Sequence, residues 1–136
     1  MRALPLLAVL LAGCPVSGTT GDCQQDSQCG GGVCGRDHLC YPAADIRAVK
    51  VQWTISGAVA SPTTCNGVDL YIRFHVEQSG ESLGYAPVPC FAGAYSIDKL
   101  PLQYSFVELG VHNADFQRTS GPITADGTVQ LDLPAL

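Results

Sequence analysis

The chain has 136 residues, seven of them cysteine, with 46% hydrophobic but only 14% charged residues and a formal charge of −5. That length holds a single ordinary domain or a small module plus a domain, and it is too short for a multidomain enzyme. The acidic balance argues against nucleic acid as a partner, which calls for basic patches. A charged fraction well under the usual ~25%, with many Cys, Gly, Thr and Val, points to an exported β-rich protein.

Met1-Arg2 is followed by an apolar or small run from Ala3 to Gly13. A membrane-spanning helix needs roughly 17–25 apolar residues, so this run is too short for one and has the shape of a signal peptide. It ends Leu11-Ala12-Gly13-Cys14, which resembles the lipobox of bacterial lipoproteins, L-[AS]-[GA]-C. The resemblance implies that residues 1–13 are a cleaved signal peptide, that Cys14 carries a diacylglycerol thioether, and that the new N-terminus is acylated, with palmitate among the chains. Two or three acyl chains anchor a protein stably without a transmembrane helix. The alternative is a plain secretory signal with Cys14 in a disulfide. Residue 15 is Pro, not the Asp that holds many lipoproteins at the inner membrane. The expected place is therefore the outer membrane, facing the periplasm or the outside. Residues 14–22 form the lipidated N-terminus and a small, uncharged tether.

Residues 23–42 form a cysteine-rich module, Cys23-x5-Cys29-x4-Cys34-x5-Cys40, with Gly30-Gly31-Gly32 and Gly35 between and almost nothing apolar. Such a stretch builds no core, so covalent bonds must hold it. Two disulfides allow three connectivities; we favour the interlaced Cys23–Cys34 and Cys29–Cys40. One zinc on four thiolates competes, although structural zinc usually takes C-x2–4-C pairs. The pattern D-C-x-x-D-S-x-C-G-G-G-V-C-x-x-x-x-x-C resembles short Cys-rich modules that follow the lipobox in myxobacterial-type lipoproteins.

From residue 45 to 136 the pattern becomes that of strands. Val49, Val51, Trp53 and Ile55 alternate with polar residues, as do Leu70, Ile72, Phe74 and Val76. Residues 78–81 read as a turn, 95–97 as a short strand before Pro101, and 103–111 as a central strand, apolar on both faces. Asp126-Gly127 is a hairpin signal leading into Val129, Leu131 and Leu133. The span suits a seven-strand sandwich with Trp53 near its centre. Cys65 and Cys90 remain to be paired, and a bridge over that loop is worth roughly 3–4 kcal/mol. The seven cysteines then divide into one lipidated and three pairs. The run V-x-W-T-I-x-G, with Cys65-Asn66-Gly67-Val68, Pro89-Cys90-x-x-Gly93 and Leu100-Pro101-x-x-Tyr104, resembles prealbumin-like (transthyretin-like) and carboxypeptidase-regulatory-like domains. These usually have Gly before the tyrosine, where Gln103 stands here. The fold class expected is all-β: a disulfide-rich module, then an immunoglobulin-like or transthyretin-like β-sandwich.

Several motifs imitate chemistry. Gly30-x-Gly32-x-x-Gly35 matches a dinucleotide fingerprint, but it lies inside the cysteine cluster with no helix to follow. His75-x-Glu77 with Pro89-Cys90 resembles a zinc-deaminase signature, but Gly93 stands where a second cysteine ligand is required. His38, His75 and His112 belong to no H-E-x-x-H motif, and Asp22, Asp26 and Asp37 lack a calcium-loop spacing. Tyr71, Tyr85 and Phe91 are candidates to stack on sugar or anchor a protein.

The function expected is a membrane-anchored envelope lipoprotein with a structural or protein-interaction role, not an enzyme and with no cofactor or metal. The alternative is a sandwich displayed to bind carbohydrate or another small ligand. The partners expected are the membrane, through the lipid, and an envelope protein or glycan. Cys14→Ser is expected to leave the leader uncleaved and the mass free of acyl chains. Intact mass of the membrane-extracted protein checks this; an unchanged acylated mass would place the lipid elsewhere.

Overall fold

The computed structural model describes residues 22–114 and 116–136; the leader, Cys14 and the tether up to residue 21 lie outside them. The N-terminal module has no apolar interior, and cysteines take that place. Asp22 bridges to Leu39, a 3-10 turn spans Asp26–Cys29, and β1 (Val33–Cys34) pairs antiparallel with β2 (Cys40–Tyr41). Cys23 is bonded to Cys34 and Cys29 to Cys40, with Cys23 and Cys34 buried. The sulfurs of Cys23, Cys29 and Cys40 lie within 4.8 Å of one another because the two bonds cross. The thiolates that zinc would take are thus occupied pairwise. Each bond closes a short loop, worth roughly 3 kcal/mol in chain entropy. Gly32 and Gly35 let Tyr41 lie close: a Cβ at Gly32 would sit 2.7 Å from the Tyr41 carbonyl oxygen, and one at Gly35 2.9 Å from its ring.

Eight further strands follow: β3 (Ile46–Ile55), β4 (Ala58–Val59), β5 (Asp69–Val76), β6 (Ser82–Pro89), β7 (Ala94–Pro101), β8 (Tyr104–Val111), β9 (Arg118–Pro122) and β10 (Thr128–Leu133). They form two sheets. In one, β3 is central, with β10 parallel on one side and, on the other, both β7 and β4 paired antiparallel to β3 itself, β7 along 46–52 and β4 at 54–55. In the other the order is β6-β5-β8-β9, all antiparallel. The sheets face each other through the predicted inward sets: Val49, Val51, Trp53 and Ile55 from β3, Leu70, Ile72 and Phe74 from β5. Trp53 is buried and donates its indole N–H to the Cys90 carbonyl at 2.8 Å, so its polar edge is satisfied. β8 is central, as its apolar faces predict.

Two features depart from the sequence reading. Asp126-Gly127 does not close a hairpin, because β9 and β10 belong to different sheets. The turn itself closes locally, with Gly127 at φ 77°, its N donating to the Thr124 carbonyl at 2.9 Å and Thr124 N to the Thr128 carbonyl at 3.2 Å, but the strands on either side do not pair. The turn instead carries the chain across the sandwich, and the Gly127 carbonyl accepts from Lys50 N at 2.8 Å. The sequence reading also names neither β6 nor β9. Both lie at the edges of their sheet, where one side of the strand needs no ladder partner and Gly or Pro is tolerated. Pro87 sits in a bulge where two β6 residues, Ala86 and Pro87, oppose one of β5, Tyr71.

The module is docked on the sandwich. Between Arg47 and Val49 of β3, β7 carries one extra residue, and Lys99 adopts φ 54° there. This bulge turns Asp98 and Lys99 towards the module. Arg36 N donates to the Lys99 carbonyl at 3.0 Å, its guanidinium pairs with Asp98, and Lys99 Nζ pairs with Asp26 Oδ1 at 2.8 Å. The Asp26 and Asp98 carboxyls are held below the usual range, chiefly by the hydrogen bonds from Lys99 and Arg36 respectively. Nearby, Asp37 Oδ2 accepts from the Tyr41 hydroxyl at 2.6 Å and from that of Tyr104 at 3.5 Å. Burial pushes both phenols up, Tyr104 to about 12.

The folded-state values lie above the free phenol's ~10, so the fold holds the neutral form. Stability is expected to be full below about pH 10 and to fall as pH rises towards 12. Melting temperature across pH 8–12 checks this, with a shallower fall in Tyr104→Phe; equal slopes in the two proteins would contradict the assignment.

Candidate functional site

Strand directions give the sandwich two unlike ends. Pro101, Leu102 and Tyr104 lie at the end that meets the module: Leu102 N donates to the Asp45 carbonyl at 2.8 Å, and Gln103 Nε2 to the Tyr41 hydroxyl at 3.2 Å. The opposite end is built from residues 56–68, between β3 and β5, from 90–93, between β6 and β7, and from the loop joining β8 to β9. The first of these is folded by local signals. Ser56 and Gly57 take positive φ after β3. Ser61 then caps one helical turn, Pro62–Cys65: its Oγ accepts from Thr64 N at 3.1 Å, and Thr64 Oγ1 accepts from Ser61 N at 2.8 Å. Proline at the first helical position loses no needed donor, and Asn66 and Gly67 end the turn with positive φ.

The Cys65–Cys90 bond ties this turn to the 3-10 turn Cys90–Ala92, and both sulfurs are buried. The Cys90 carbonyl also receives the Trp53 indole, so the tip is fixed to the core from two directions. The loop between β8 and β9 is held near the C-terminal residues, where Gln117 Nε2 donates to the Ala135 carbonyl at 2.8 Å.

This end is apolar at its surface. Among the described residues the exposed large hydrophobic side chains are Val59, Phe91, Leu102 and Phe116; all but Leu102 lie here, with Phe116 96% and Val59 80% exposed. Residues 56–68 and 90–93 contain no charged side chain. Depletion of charge with exposed aromatics is the composition of an interface core, not of ordinary surface.

The residues singled out in the sequence fall as follows. Phe91 belongs to this end. Tyr71 is not free to stack: its ring lies over Gly110, where a Cβ would come within 2.6 Å. Its hydroxyl donates to Glu108 Oε1 at 2.9 Å, and the Arg73 guanidinium sits 5.3 Å from the ring centroid. Arg73 and Arg118 both approach Glu108 at 3.7 Å. Tyr85 is a half-buried residue of β6, edge-on to Phe74 with centroids 6.3 Å apart and 5.5 Å from Tyr95. His75 faces outward on β5 opposite Phe106, and Gly93 ends the 3-10 turn. His38 Nδ1 lies 3.1 Å from the Cys23 carbonyl oxygen. Asp26 and Asp37 are engaged within the docking contacts, and the fingerprint glycines lie between the two crossed disulfides. Val59 and Phe116 escaped the sequence reading. The uncharged stretch 56–68, with nothing in its own pattern to bury Val59, is the signal that could have found Val59; Phe116, beside Asp115, carries no such signal.

Among the described residues no helix is long and apolar enough to cross a membrane. Comparison with known protein families, with curated proteins and with solved structures finds no match to the chain.

Replacing Cys65 and Cys90 together by Ser is expected to cost roughly 3–4 kcal/mol. Urea unfolding checks this. A loss under about 1 kcal/mol would mean that the tip is held by packing alone.

Proposed function

We propose that the protein is a lipid-anchored envelope protein without catalytic activity, which displays the far end of its sandwich to a partner protein. The observation that carries this reading is the disulfide-tied tip exposing Val59, Phe91 and Phe116, two of whose three segments, 56–68 and 90–93, carry no charge, opposite the module through which the chain enters. The lipobox-like Leu11-Ala12-Gly13-Cys14 supplies the anchor in this proposal. Residues 15–21, fully extended, reach at most about 25 Å. The module then sits next to the outer membrane, and strands of this length carry the tip roughly 30 Å beyond it. Residues 56–68 and 90–93 contain no Lys or Arg. Insertion of such a tip into an anionic bilayer would lack electrostatic help. The partner that fits is a folded protein with an uncharged, apolar-lined surface that accepts an aromatic side chain.

A photoreactive residue placed at position 91 or 116 in living cells is expected to capture one discrete partner. With the photoreactive residue at position 91 the crosslink should vanish in Phe116→Asp, and with it at position 116 the crosslink should vanish in Phe91→Asp, with unchanged expression. Crosslinking no more specific than from position 130, on the polar outer face of β10, would refute the reading.

A further inference from the structure

At the junction of the module with the sandwich lies a cleft of about 450 Å³, away from the tip discussed above. Arg36 and His38 line it from the module, and Tyr85, Tyr95, Ser96 and Asp98 from the sandwich. It exists only because the module is docked: β6 and β7 supply two aromatic rings, and the module supplies the opposite wall.

Its polar groups are only partly used. The Tyr41, Tyr71 and Tyr104 hydroxyls each donate to a carboxylate. The Tyr85 and Tyr95 hydroxyls bond to no described residue, and neither is buried without a partner. Arg36 Nε and Nη2 both point to Asp98 Oδ1, which leaves Nη1 and Asp98 Oδ2 for a ligand. His38 meets the Cys23 carbonyl through Nδ1, which leaves Nε2. The charges cancel locally, Arg36 against Asp98 and Lys99 against Asp26.

We propose that this cleft binds a neutral carbohydrate through one or two sugar rings. A sugar ring offers an apolar C–H face to an aromatic ring and, at its edge, hydroxyls that both donate and accept. The Tyr85–Tyr95 pair, with centroids 5.5 Å apart, provides the first surface, and the unused Arg36 and Asp98 atoms provide a donor beside an acceptor for adjacent hydroxyls. An anion would gain nothing from a site whose positive charges are already paired. A peptide would need a free strand edge, and Arg36 already occupies that of β7.

Binding is tested on the full-length, detergent-extracted protein with cellotriose, maltotriose and chitotriose, and with trigalacturonate as the charged comparator, by calorimetry and tyrosine difference absorbance. At least one neutral trisaccharide is expected to bind saturably. Tyr95→Ala is expected to weaken it roughly tenfold and Tyr95→Phe by less, since the ring stays and only the hydroxyl goes. Melting curves of the two variants show that the fold is intact, and Tyr95→Phe keeps the test valid if Tyr95→Ala unfolds. Phe91→Asp,Phe116→Asp is expected to bind sugar unchanged, which separates this site from the tip. Absence of binding by all three neutral sugars would overturn the proposal. So would preference for trigalacturonate, or binding indifferent to both Tyr95 variants.

Discussion

The hydrogen bond from Arg36 N to the Lys99 carbonyl joins two parts that have little else in common. An exposed strand edge is a template for unwanted pairing, and β7 would otherwise present one. The bulge at Asp98-Lys99 breaks the regular ladder and turns two charged side chains outward, where Arg36 and Asp26 meet them. A module with no core of its own thereby gains a fixed position. The same contact protects the sheet and shapes the cleft beside Tyr85 and Tyr95.

Polar and apolar surface are separated along the molecule. Charge pairs gather at the module junction and on the outer face of β5, β8 and β9, where Arg73 and Arg118 flank Glu108. The far tip has almost no charge, and a disulfide and the Trp53–Cys90 hydrogen bond hold it instead. Covalent fixing matters there because loops of small, uncharged residues bury little apolar area and would otherwise lose order. A tip held rigid before binding loses less conformational entropy when a partner arrives.

Strands with one face in the core were legible because period-two alternation is imposed by burial. Val49 to Ile55 and Leu70 to Phe74 show it plainly, and both lie in central strands. β6 and β9 were not legible, since an edge strand with Pro or Gly keeps only a fragment of that pattern. Asp126-Gly127 showed a turn but not its destination: the same dipeptide serves a hairpin or a crossing between sheets, and which sheet each flanking strand joins decides which. Of the candidate surfaces, Phe91 and Tyr85 drew notice as aromatics in apparent loops. Val59 and Tyr95 did not, because exposure at one site and a neighbouring ring at the other depend on distant segments.

The sequence by itself determined the all-β class, the division into a cysteine-rich part and a sandwich, and which side chains of the central strands face inward. These follow from composition and from local periodicity. Which cysteines are bonded, that the module docks on β7, and that Val59, Phe91 and Phe116 share one end were decided only by the tertiary structure. Each depends on residues far apart in the chain being brought together, and the spacing of residues along one segment carries no record of that distance.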